Sequence, residues 1–87
     1  MRKVLRFTAS WCQPCKMLAM YLEDAEIDLH VDVIDIDENQ QLATKYSVRS
    51  VPTLVLIEDD VEISRSIGLK NTKELEAWAN GQSEYQK

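Results

Sequence analysis

The stretch Trp11-Cys12-Gln13-Pro14-Cys15-Lys16 decides both the fold and the chemistry of this 87-residue chain. It contains both cysteines of the sequence and directly follows an apolar run that begins at Val4. A strand that leads straight into a helix places Cys12 at the helix N-terminus, where free backbone N–H groups and the helix dipole favour a thiolate. Pro14 suits the first helical turn, because its missing N–H would have had no partner there. The motif therefore predicts a reversible dithiol–disulfide switch.

Composition excludes several classes of function. The length fits one domain with a small core, and 45% hydrophobic and 29% charged residues are typical of a soluble globular protein. A net charge of −5 argues against nucleic acid or an anionic membrane as the partner. No apolar run approaches the roughly 18 residues of a membrane span, and the apolar segment after Met1 is too short for a secretion signal. We therefore expect a cytoplasmic protein.

Two other uses of a Cys-x-x-Cys pair are weaker. A zinc site needs about four ligands, and beyond the two cysteines the sequence offers a single histidine, His30. A permanent structural disulfide would close too small a loop to stabilise the fold much, and a reducing compartment opposes it. We predict a catalytic dithiol and no metal.

Periodicity predicts the remaining elements in the order βαβαββα. Strands are expected at 4–9, 29–36, 53–57 and 61–67, the last at a sheet edge after a turn at 58–60. Helices are expected at 14–25, 38–46 and 73–80, with Asp37 and Thr72 as N-caps of the second and third. The first helix should turn Met17, Leu18, Tyr21 and Leu22 inward. Gly81 ends the last helix, so the domain is 1–81 and 82–87 is a frayed tail.

A second motif, Val51-Pro52-Thr53, precedes the third strand. Together with the Trp-Cys-x-Pro-Cys-Lys stretch it resembles the thioredoxin family, over most of the chain from Val4 to Trp78. The resemblance implies a minimal thioredoxin-like α/β fold, with a four-stranded mixed sheet in the order 2-1-3-4 and three helices. It also implies a cis Pro52 that faces the disulfide. Larger thioredoxins carry a further strand and helix before the active-site strand, which this chain lacks.

The same resemblance implies a protein-disulfide reductase that acts as a monomer without a bound cofactor. Cys12, expected to be exposed at the helix start, would attack a substrate disulfide, and Cys15, one turn deeper, would then release the reduced substrate. Electrons would come from an NADPH-linked, thioredoxin-reductase-like enzyme, and ribonucleotide reductase is the kind of substrate expected. A flat apolar docking surface would be formed by Trp11, Gln13, Pro14, Val51, Pro52, Ile67, Gly68 and Leu69.

Two alternatives stay open. A glutaredoxin-like enzyme would use glutathione, and the short length and the segment from Ile67 to Asn71 are compatible with it. Glutaredoxins, however, tend to have proline directly after the first cysteine, whereas Pro14 precedes the second. The other alternative is a thioredoxin-fold subunit that binds a partner without catalysis, against which the intact motif argues.

Arg6 is where the sequence departs from the family. Thioredoxins have a buried aspartate six residues before the first cysteine, which assists proton transfer at the second, and that position is Arg6 here. An accompanying lysine on the neighbouring strand corresponds to Val33. Because an unpaired buried charge is costly, Arg6 either pairs with Asp35 or extends to the sheet edge. We expect Arg6 and Asp35 to modulate the dithiol, with a more oxidising couple if Arg6 is unpaired.

Overall fold

The computed structural model describes residues 1–81 and has the predicted order of elements. The expected tail, 82–87, lies outside the described residues. No helix in the described part of the chain is long and apolar enough to cross a bilayer. The strands are β1 (Arg2–Thr8), β2 (His30–Asp35), β3 (Thr53–Glu58) and β4 (Val61–Ile67), and the helices are α1 (Gln13–Asp24), α2 (Gln40–Lys45) and α3 (Thr72–Ala79).

The four strands form one mixed sheet in the order β2-β1-β3-β4, which confirms the prediction. β1 runs parallel to β2 and antiparallel to β3, and β3 pairs antiparallel with β4. The parallel pair requires a crossover, which α1 provides. In the register, Arg6 lies between Val33 of β2 and Leu54 of β3, so it sits in the interior of the sheet.

Each face of the sheet carries its own apolar cluster. One face packs against α1 and α3 through Val4, Leu18, Leu54, Leu56 and Leu75. The other face packs against α2 through Leu5, Phe7, Ile34, Tyr46, Val55 and Ile57. Side chains alternate along a strand, so Arg6 shares the face of Val4 and lies on the α1 side. Burying both faces explains why β3 is almost continuously apolar.

The predicted caps of α2 and α3 are wrong. Asn39 precedes α2 and makes no side-chain cap, while the Asp37 carboxylate accepts a hydrogen bond from the Trp11 indole N–H instead (3.0 Å). Asn71 caps α3, and its side chain and that of Glu74 form a reciprocal capping box with two hydrogen bonds of 2.9 Å. Several polar residues near the start of a helix could each serve as its N-cap. Which of them does so depends on the other contacts that each side chain makes in the folded protein.

The buried face of α1 contains fewer residues than its hydrophobic periodicity indicated. Leu18 is fully buried, and Tyr21 and Leu22 pack against its cluster as expected. Met17 is 41% exposed, so its inward assignment was wrong. Adjacent residues of a helix are about 100° apart around its axis. Because Cys15 is buried, Met17, two residues later, lies on the opposite and exposed side of α1.

Candidate active site

Cys12 and Cys15 form a disulfide at the N-terminus of α1, with Cα atoms 5.3 Å apart. Cys12 is the N-cap residue in extended conformation, and Pro14 lies in the first turn, as predicted. Both cysteines are buried, with exposed fractions of 4% and 1%. Our expectation of an exposed Cys12 is therefore wrong for the oxidised protein, because Ala9, Ile36 and Val51 pack around the pair.

The two sulfurs differ in hydrogen bonding more than in exposure. The backbone N–H of Cys15 donates to the Cys12 Sγ over 3.2 Å, so the sulfur takes the place of a capping oxygen. A hydrogen bond to the charged form of a group lowers its pKa, and a helix N-terminus acts in the same direction. This geometry favours a thiolate on Cys12 after reduction.

The loop before β3 closes the other side of the disulfide. The Val51–Pro52 peptide bond is cis, and the Val51 carbonyl oxygen lies 3.7 Å from the Cys12 Sγ. The Pro52 carbonyl accepts a hydrogen bond from the Gly68 N–H over 2.9 Å, which brings the end of β4 beside this loop. Gly68 has φ +90°, a conformation that side chains rarely adopt, so glycine is required at this crossing.

Arg6 forms no ion pair with Asp35. The Asp35 Oδ1 accepts from the Asp37 N–H instead (2.8 Å), and within residues 1–81 the Arg6 guanidinium has no ionic partner. Its side chain lines a groove of about 280 Å³ between α1 and β2. Partial burial lowers the pKa of Arg6 from its ordinary value. The pairing hypothesis is wrong, because the turn after β2 engages the carboxylate, and the alternative of a guanidinium extending to the sheet edge stays a prediction.

The site and the fold match those of known proteins. The Thioredoxin family model covers residues 1–81. The chain belongs to the thioredoxin family. It is 45% identical over 75 residues to a thioredoxin of Chlamydia trachomatis, an alignment that spans 83% of this chain and 74% of that protein. It is 41% identical over 78 residues to a thioredoxin of Bacillus subtilis, spanning 85% and 75%.

Solved structures agree with this membership. A mutant thioredoxin from Halobacterium salinarum superimposes with a TM-score of 0.84 at 39% identity, covering 92% of this chain and 73% of that one. Family membership and the Cys12–Cys15 disulfide together identify this member as a dithiol thiol–disulfide oxidoreductase that reduces protein disulfides. In the part of the chain that the structure describes, no group of three or more His, Cys, Asp or Glu side chains is arranged to hold a metal.

The residues expected at a docking surface have different degrees of exposure in this thioredoxin-family chain. Trp11 is 66% exposed, and Gln13, Pro14, Ile67 and Leu69 are exposed as well, whereas Val51 and Gly68 are partly buried and Pro52 is buried. Asp37, which binds the indole of Trp11, was not anticipated as part of the site. The only signal in the sequence was that Asp37 follows β2. Because β1 and β2 are parallel, their C-terminal ends lie side by side, which places Asp37 near the residues that follow β1.

Proposed function

We propose that Cys12 is the attacking thiol and Cys15 the resolving thiol of this reductase. The observation that carries the proposal is the Cys15 N–H donated to the Cys12 Sγ at the start of α1. In the first step the Cys12 thiolate bonds to one substrate sulfur, the substrate S–S bond breaks, and the leaving sulfur takes a proton. In the second step the Cys15 thiolate bonds to Cys12 Sγ and expels the other substrate sulfur, which is also protonated. Two cysteines are oxidised and one substrate disulfide is reduced.

The docking surface in this proposal surrounds the disulfide. An extended substrate segment would lie over Trp11 and the exposed end of β4, beside the loop at Val51 and Pro52. Exposed apolar side chains grouped around a reactive centre support binding of polypeptide chains. The indole of Trp11 is held by Asp37 at 3.0 Å, so the ring is fixed in place before a substrate arrives.

The proposal includes the electron supply and the setting. The protein would act as a cytoplasmic monomer without a bound cofactor, recharged by an NADPH-linked reductase of the thioredoxin reductase type. Its substrates would be disulfide-containing proteins such as ribonucleotide reductase. The similarity to thioredoxins and the position of Pro14 before the second cysteine support this source over glutathione.

The first test is a trapping experiment. Cys15→Ser should accumulate a mixed disulfide with insulin or another protein disulfide, because no resolving thiol is available, whereas Cys12→Ser should accumulate none. Non-reducing electrophoresis and intact mass measure the adduct. An adduct that forms on Cys15 but never on Cys12 would reverse the two roles.

The second test separates the electron donors. Insulin reduction is measured with NADPH plus thioredoxin reductase, and in parallel with NADPH, glutathione and glutathione reductase. Turnover with the first system alone is expected. Turnover with the glutathione system alone would replace the proposal by the glutaredoxin-like alternative, and the absence of turnover with both, alongside an active control thioredoxin, would favour a binding subunit.

A further inference from the structure

Arg6 is an exception among the charged residues of the two central strands. β1 and β3 carry charges at Arg2, Lys3, Arg6 and Glu58. Arg2 pairs with Glu58, and Lys3 pairs with Asp32, at the end of the sheet remote from the disulfide. Arg6 lies in the interior of the sheet, is partly buried, and has no ion pair or side-chain hydrogen bond within residues 1–81. Its charge is therefore not balanced by a direct ion pair among the described residues.

The groove that receives Arg6 runs beneath α1, the helix that carries both cysteines. Ala19, Leu22 and Glu23 line it from α1, and Val31 and Val33 line it from β2. Ala19 is one turn beyond Cys15, which is about 6 Å along the helix axis. Arg6 therefore lies under the helix that carries Cys15, and the fully buried Leu18 packs on the same face of the sheet.

No carboxylate near this groove forms an ion pair with Arg6 in the part of the chain that the structure describes. Glu23 lines the groove but forms no ion pair with it, and the Asp35 carboxylate on β2 is bound by the Asp37 N–H. β3 places the apolar Leu54 opposite Arg6. On α3, which packs beside α1, the Glu76 carboxylate accepts from the Glu26 N–H. Lys16 is exposed next to Cys15 and adds a second positive charge on the solvent side.

We infer that the Arg6 guanidinium acts as a fixed positive charge that favours the thiolate of Cys15, the buried resolving cysteine. The charge would speed the second step, in which the Cys15 thiolate bonds to Cys12 and expels the substrate sulfur. It would also stabilise the reduced dithiol against the disulfide and make the couple more oxidising. The inference rests on the resolving role proposed for Cys15. The influence on the thiol itself can be measured independently of that role.

The primary test titrates Cys15 alone in the Cys12→Ser background by thiolate ultraviolet absorbance. Arg6→Met removes the charge and keeps an unbranched side chain that fits the groove, and about threefold less thiolate is expected at neutral pH. Arg6→Lys should restore the thiolate, because it keeps the charge. Arg2→Met is the matched control, since it removes the same charge from the same strand at its far end, and it should leave Cys15 unchanged.

Three outcomes contradict the inference. Equal thiolate fractions in Arg6→Met and the parent would show that the guanidinium does not influence Cys15. A change of the same size in Arg2→Met would assign the effect to net charge. Failure of Arg6→Lys to restore the fraction would assign it to packing. Thermal unfolding of every variant identifies those that have lost the fold, and Arg6→Gln replaces Arg6→Met if the latter has.

A second readout uses the wild-type dithiol in a glutathione redox buffer. Arg6→Met should shift the equilibrium about threefold toward the disulfide, and a tenfold shift would correspond to about 30 mV in the reduction potential. Glu23→Gln removes a negative charge from the same groove and should shift the equilibrium toward the dithiol. Both experiments are independent of insulin reduction. If insulin reduction fails while the titration responds to Arg6, the proposed function is wrong and this inference stands. If turnover is normal and neither the titration nor the equilibrium responds, the inference is wrong and the function stands.

Discussion

The two ends of the sheet present different chemistry to solvent. At the end where β1 begins, Arg2 pairs with Glu58 at 3.0 Å, and Asp32 is bound by both Lys3 and His30. At the end where β1 leads into the disulfide, the surface is apolar, with Trp11 and the end of β4 exposed. The first end is a set of solvated charges, and the second is an exposed apolar surface around the disulfide, which we propose binds the substrate.

This difference indicates where stability and function reside. Solvent-exposed ion pairs contribute little, since water competes for both partners and salt screens them. Exposed apolar groups are retained where they bind another molecule. Stability should therefore come from the two apolar clusters between the ends, function from the disulfide end, and little of either from the charged end. Each part of this comparison can be tested.

The largest change in stability is expected in the cluster under α1. Leu18 is fully buried between the two ends, and Leu18→Ala should reduce the free energy of unfolding by about 2–5 kcal/mol, from lost burial and the cavity left behind. Met17→Ala is the control on the same helix, with a 41% exposed side chain and an expected loss of at most about 0.5 kcal/mol. Denaturant unfolding measures both. Similar losses for the two variants would disprove the proposed location of the stabilising core.

At the disulfide end, Trp11→Ala should lower kcat/KM for insulin reduction about tenfold, mainly through KM, because an anchored aromatic group is lost from the docking surface. Met20→Ala is a matched control, since Met20 on α1 is 67% exposed and Trp11 is 66% exposed. Asp37→Ala frees the indole without removing it and should have an intermediate effect. A Met20→Ala effect as large as that of Trp11→Ala would argue against a localised docking surface.

At the charged end, the Arg2–Glu58 pair should have a small coupling energy. A double-mutant cycle with Arg2→Met and Glu58→Gln is expected to give below about 1 kcal/mol, because about half of each side chain is exposed. Insulin reduction should be unchanged in all variants of the cycle. A coupling of several kcal/mol would mean that this end contributes substantially to stability.

The smallest effect concerns pH. Hydrogen bonds from Lys3 and His30 hold the pKa of Asp32 below its ordinary value of 3.8. A carboxyl group with a lowered pKa stabilises the fold above its unfolded-state pKa, and this contribution is lost as the pH falls through the folded-state value. The difference in unfolding free energy between wild type and Asp32→Asn should therefore shrink as solutions are acidified from neutral pH. A difference that stays constant would show that Asp32 has no role in the acid response.

The sequence predicted the structure well where a short motif is compatible with few structures. The spacing of Cys12 and Cys15 predicted the redox disulfide, and the resemblance to thioredoxins implied the order of the four strands and the cis Pro52. Reasoning failed where partners are distant in sequence. Asp37 binds an indole 26 positions away rather than capping α2, and no periodicity encodes that contact.

Arg6 illustrates a related limit. The sequence placed Arg6 in a central strand, but it did not show which groups would surround the side chain. Whether Asp35 turned toward it depended on the turn after β2, where the Asp37 N–H binds that carboxylate. Local backbone geometry took precedence over an attraction between charges on neighbouring strands.

The outer strand β2 has a consequence for concentrated solutions. One edge of β2 faces away from β1, so its backbone N–H and C=O groups could serve as a template for another strand. His30, Asp32 and Asp35 lie along its six residues, and a second molecule that added a strand there would have to strip water from these groups. The net charge of −5 adds repulsion between whole molecules. The colloidal stability of this small protein is therefore encoded partly in the polar side chains of an outer strand.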